Sequence, residues 1–95
     1  MSDRSTKQSE QIFAESQAHL EDPWYLILYD DNFHTFDEVI LQLMKALKCD
    51  LSIAEEITLE VHNEGKCLVH TGTIEECIRI NSVLLEINLT TEIRG

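Results

Sequence analysis

Three acceptor side chains stand in a row at Asp30, Asp31 and Asn32, directly after the apolar run Trp24-Tyr25-Leu26-Ile27-Leu28-Tyr29 and just before Phe33-His34-Thr35-Phe36. Two carboxylates and an amide at a strand end can replace the water around a cation, and a carboxylate paired with an ammonium makes the stronger, charge-assisted contact. A second group of suitable chemistry is His62, within Leu59-Glu60-Val61-His62-Asn63-Glu64-Gly65-Lys66. Its ring accepts a hydrogen bond when neutral, whereas the imidazolium only donates and repels a cation, so binding that uses His62 weakens as pH falls. Taken separately, the acidic triplet also reads as a solvated turn, and a lone histidine near a helix end as an ordinary surface residue.

Placing these groups requires a strand before Asp30 and a helix carrying His62. From Trp24 the pattern predicts strand, helix, helix, strand, helix, strand. Each helix is expected to open with a capping box, in which a hydroxyl residue and a Glu three positions on satisfy free backbone donors: Thr35 to Glu38, Ser52 to Glu55 and Thr73 to Glu76. The first helix repeats apolar residues at Phe36, Val39, Ile40, Leu43, Met44 and Leu47, the stripe of a helix lying on a core. The second carries Ala54, Ile57 and Val61 and is expected to close at Gly65. Lys66 to Thr71 reads as a short strand. The third helix, from Thr73 to about Glu86, is expected to bury Ile74, Cys77, Ile78 and Val83 to Leu85, with Asn88 in the closing position. Leu89, Thr91 and Ile93 then alternate with Thr90, Glu92 and Arg94, the period of a half-exposed strand. An apolar sheet face must be covered, so the expected fold is a small α+β domain over residues 23–95 in which three helices cover a three-stranded antiparallel sheet. Residues 1–22 are rich in Ser, Gln, Glu and Lys, and are expected to form a flexible tail.

Composition narrows the classes of partner. Seven Lys and Arg against 18 Asp and Glu give a net charge of -11, which repels nucleic acid and anionic membranes and suits a free ammonium group or a basic protein surface. A chain of 95 residues buries a modest core and favours a binding module over an enzyme. No run approaches the ~20 apolar residues that span a bilayer, and Cys49, Cys67 and Cys77 read as free thiols, so a soluble cytoplasmic protein is expected. These cysteines, with His62 and His70, match no zinc spacing, and no cofactor or metal is expected. A Cys67 nucleophile paired with His62 or His70 would lack an oxyanion hole.

The two fragments around Asp30 and His62 together resemble ClpS, a family of adaptors that hand proteins with N-terminal degradation signals to the Clp protease. The resemblance runs from about Tyr25 to Ile93 and is strongest at Ile27 to Val39 and Val61 to Lys66. It implies that Asp30 and His62 hold a free α-amino group, with Asp31 and Asn32 assisting. It further implies that Phe36, Thr58, Val61 and Leu89 line a pocket for the first side chain, and that the N-terminal domain of a ClpA- or ClpC-type unfoldase docks around Glu75 and Arg79. Several positions depart from the family. Asp-Asp-Asn replaces its usual Asn-Asp-Asp, His34-Thr35 replaces Thr-Pro, and Phe36 and Thr58 replace two methionines. Phe36 reads equally well as core packing at the helix start.

Two rival readings keep the fold. In one, the domain binds the unfoldase but no longer reads N-termini. In the other, it is a structural module resembling the C-terminal domain of the ribosomal stalk protein, since fold alone does not fix function.

Overall fold

The computed structural model describes residues 22–95, so the tail expected over residues 1–22 lies outside the described residues except for Asp22. The apolar run after Pro23 forms β1, Trp24–Tyr29, the central strand of a three-stranded sheet. β2, Lys66–Gly72, and β3, Thr90–Arg94, pair with it antiparallel on either side. Leu26 and Leu28 on its inner face are wholly buried. Burying such a side chain contributes about 1.5–3 kcal/mol, which makes β1 the firmest support for whatever follows it. On β2 the register slips between the partners of Leu26 and Ile27, leaving Val69 as the extra residue of a bulge. The slip sets Cys67 opposite Leu28 in the core and leaves Leu68 exposed opposite Ile27.

Three helices cover the inner face: α1 at Phe36–Leu47, α2 at Leu51–Glu64 and α3 at Ile74–Leu84, with a 3-10 turn at Leu85–Ile87. α3 crosses all three strands, α2 packs along β2, and α1 packs on α2 and α3. The element order and the antiparallel sheet are those expected from the sequence.

Both Thr boxes form as expected. Thr35 accepts from the Glu38 N–H while Glu38 accepts from the Thr35 N–H, and Thr73 and Glu76 repeat the arrangement. The box at Ser52 does not form. Asp50 is the N-cap of α2, its carboxylate accepting from Ile53 N–H at 3.0 Å, so the helix begins before Ser52. A carboxylate two residues upstream captures the orphan donor first and suits the positive end of the helix. Gly65 closes α2 with φ 87, and Asn88 closes the 3-10 turn with φ 61, both left-handed as expected.

The buried stripe of α3 differs from expectation. Cys77, Ile80 and Leu84 form it, while Ile78 and Leu85 are exposed. The helix lies across the sheet on the face that carries 77, 80 and 84, and Ile78 is turned away from it.

Candidate functional site

β1 ends where the acceptors begin. Asp30 N–H donates to the Gly65 carbonyl at 2.9 Å, one bond beyond the strand ladder, and this bond joins the two sequence fragments. Because Gly65 caps α2, the bond brings the last turn of α2, with His62, against the end of β1. α1 then starts at Phe36 under the Thr35 cap and supplies the opposite wall. The result is an open cavity of about 320 Å³.

Asp30, Asp31, Asn32, Phe36, Thr58, Val61, His62 and Leu89 all line this cavity. The acceptor side is polar and partly wet: Asp30, Asn32 and His62 are exposed. Among the described residues, the Asp30 and Asn32 side chains take no hydrogen bond, so their oxygens remain open to a donor. The floor is apolar, with Val61 and Leu89 buried. Glu75 and Arg79 lie elsewhere, exposed on α3 and clear of the cavity lining.

Asp31 is committed differently from its neighbours. Its Oδ1 accepts from the N–H groups of Phe33 and His34 at 2.8 and 3.0 Å, and its Oδ2 meets His34 Nδ1 at 2.7 Å. Burial alone would raise its pKa, but the two backbone donors and the His34 ring together hold it below the ordinary carboxylate value. Asp31 therefore shapes the loop that presents Asp30 and Asn32.

Phe36 and His62 meet edge-on across the mouth, ring centroids 5.2 Å apart at 74°. Phe36 is 42% exposed and forms a wall of the cavity. Thr58 is only 3% exposed, and its hydroxyl donates to the Ala54 carbonyl at 2.8 Å, one helical turn back. With its proton so occupied, the Thr58 hydroxyl has none left to donate to a ligand.

The lining also includes Leu28, Tyr29, His34, Thr35 and Val39, which sequence reasoning did not assign to the site. Val39 was legible as part of the α1 stripe, one turn after Phe36. His34 carried a local signal too, three residues after Asp31.

Burial first, then Glu60, pushes the Cys67 thiol up to about 12, so it stays protonated and is a poor nucleophile at neutral pH. Burial also raises Cys77. Among the described residues, no group of three or more His, Cys, Asp or Glu is arranged to hold a metal ion, and no helix is long and apolar enough to cross a membrane. A wider hollow of about 610 Å³ beside the sheet carries none of the expected site residues.

Compared with known families, residues 19–88 match the ATP-dependent Clp protease adaptor protein ClpS. The chain belongs to the ClpS family. The ClpS match covers both acceptor fragments and ends one residue before Leu89. Among solved structures, Agrobacterium tumefaciens ClpS2 bound to L-phenylalaninamide superposes with a TM-score of 0.67, covering 78% of this chain and 99% of that one. Sequence identity there is 13%, so the likeness speaks for the ClpS fold. Curated relatives include the E3 ubiquitin-protein ligase UBR1 of Drosophila melanogaster, 37% identical over 74 residues and 73% of this chain. Human UBR1 is 35% identical over 54 residues, or 57% of this chain. The chain spans only 4% of the fly protein's length and 3% of the human one's.

Proposed function

We propose that this ClpS-family domain captures a free protein N-terminus that carries a bulky hydrophobic first residue, and passes such proteins to a Clp-type unfoldase and protease. The observation that carries this reading is the convergence of all eight expected residues on one cavity. Asp30 and Asn32 offer open oxygens to the α-ammonium group, with a His62 ring nitrogen as a further acceptor, and Asp31 holds their loop. Phe36, Thr58, Val61 and Leu89 surround the first side chain with apolar surface. Binding and handover need no catalytic group, and the domain acts as an adaptor rather than an enzyme. The L-phenylalaninamide bound to the Agrobacterium protein has a free amine beside an aromatic side chain, which supports a ligand of this class. Delivery would use the N-terminal domain of a ClpA- or ClpC-type unfoldase, docked near Glu75 and Arg79 in the cytoplasm.

The likeness to UBR1 ligases favours a second destination, in which the same captured N-terminus is directed to ubiquitin ligation instead. Capture is common to both readings and is tested first. Fluorescence anisotropy with labelled peptides beginning in Leu, Phe, Tyr, Trp, Ile or Arg, each free and N-acetylated, is expected to show binding of bulky hydrophobic N-termini that requires the free amine. Folded protein that binds none of these peptides would refute the reading and leave a ClpS fold that contacts a partner without reading N-termini. A pull-down against unfoldase N-terminal domains and ubiquitin-ligase fragments then separates the two destinations.

A further inference from the structure

The ring of His34 is held between two acceptors. Nδ1 lies 2.7 Å from Asp31 Oδ2, and Nε2 faces the carbonyl oxygen of Ile87. A neutral imidazole carries one N–H and can donate to only one of them, leaving a ring lone pair set against an acceptor lone pair on the other side. Only the imidazolium donates to both.

The two acceptors sit on separate segments: Asp31 lines the cavity, and Ile87 lies outside the lining but close in sequence to it. Asp31 organises the loop after β1 through the Phe33 and His34 N–H groups. Ile87 ends the 3-10 turn, two residues before Leu89 on the cavity floor. The His34 and Asp31 side chains are 14% and 13% exposed, so solvent screens their attraction only weakly. Anionic groups surround the ring: Asp31 from the loop and Glu38 from the first turn of α1. Glu86 on the 3-10 turn is engaged by Lys45 and Gln42, and His62 is the other titratable ring on the same cavity.

We propose that His34 is a positioning residue whose imidazolium clasps the acceptor loop to the Ile87 turn, and that loss of its proton opens one side of the clasp, making the cavity's shape depend on pH. The electrostatics agree in direction. The Ile87 carbonyl first, and then the Asp31 carboxylate, raise the His34 pKa above 6.5 against the opposing effect of burial. A raised histidine pKa stabilises the fold fully below the unfolded value near 6.5 and loses that effect as pH rises through the folded pKa. The clasp is therefore closed in mildly acidic solution and loosens on the alkaline side.

The test needs no ligand, so its outcome is independent of whether the cavity takes a free amine. In the 15N-labelled full chain, long-range proton–nitrogen NMR of the His34 ring is recorded from about pH 5 to about pH 9, a range chosen to bracket the ordinary histidine value. Both ring nitrogens are expected to be protonated at the acid end, with a midpoint above 6.5. The backbone amides of Asp31, Phe33 and Leu89 are expected to shift with the same midpoint, and to lose that transition in His34→Gln. A midpoint at or below 6.5, or a ring that titrates while the Leu89 amide stays still, overturns the proposal. Should His34→Gln fail to fold, Asp31→Asn serves as the second variant. It is expected to lower the His34 midpoint, and an unchanged midpoint overturns the clasp.

Discussion

Replacing His62 with alanine removes two contributions, and the geometry allows them to be separated. The ring packs edge-on against Phe36 at 5.2 Å, an arrangement that contributes about 0.5–1.5 kcal/mol. A ring nitrogen that accepts from a ligand ammonium adds a charge-assisted hydrogen bond of about 1.5–3 kcal/mol. Acetylating the peptide removes the ammonium and keeps the first side chain. Affinities of a free and an acetylated Phe-initiated peptide for wild type and His62→Ala therefore form a double-mutant cycle. The loss of the Phe36 contact affects both peptides and cancels. What remains is the coupling between the imidazole and the amine, expected at about 1.5–3 kcal/mol, or roughly 10- to 150-fold in Kd. Isothermal titration calorimetry at one fixed pH measures all four corners. A coupling below about 0.5 kcal/mol would mean that His62 serves the site only as packing for Phe36, and would refute its role as an acceptor.

Further expectations concern the frame around the site. Asp50→Ala should cost about 1 kcal/mol in urea unfolding and Ser52→Ala less than about 0.5, because the carboxylate caps α2; the reverse order would return the cap to Ser52. Gly65→Ala meets no atom within 4 Å but must hold φ 87, and a loss of about 1–2 kcal/mol is expected from backbone strain alone. An unchanged unfolding midpoint would show that this turn relaxes. Asp31→Asn should destabilise the domain by about 1.5–3 kcal/mol near neutral pH. Because the wild-type Asp31 pKa is depressed, its stabilisation holds above the ordinary value of 3.8 and fades as pH falls through the lowered one. Wild type and variant should accordingly converge in acid unfolding, and a gap that persists into strong acid would contradict the assignment.

Features written in neighbouring residues were the readable ones. Thr35 with Glu38, Thr73 with Glu76, and Gly65 act over a single turn, and the sequence predicted their roles. The start of α2 was misplaced because two good caps, Asp50 and Ser52, lie two residues apart and only the full helix selects between them. On α3 the expected stripe included Ile78, but the sheet lies against the face that carries Cys77, Ile80 and Leu84. Asp30, Asp31, Asn32 and His62 stood out locally, as acceptors after a strand and a histidine near a helix end, whereas Phe36, Thr58, Val61 and Leu89 were named only through the resemblance to ClpS. The Asp31–His34–Ile87 linkage was not legible, because its last step joins positions 53 residues apart. The occupied Thr58 hydroxyl was hidden for another reason: a buried threonine can bond back to its own helix or to another partner, and only the folded packing selects the bond to Ala54.

The register of the central strand has a consequence for how this unit can be carried. Tyr25 pairs with Arg94, so the first and last strands of the fold run antiparallel with their outer ends side by side, and the Trp24 ring lies against Gly95. A unit whose entry and exit points adjoin can be spliced into a surface loop of another protein without stretching either partner. Its cavity would travel with it intact, because every lining residue lies between those two points. Such portability fits a segment of similar sequence making up only a small share of a much longer ligase chain.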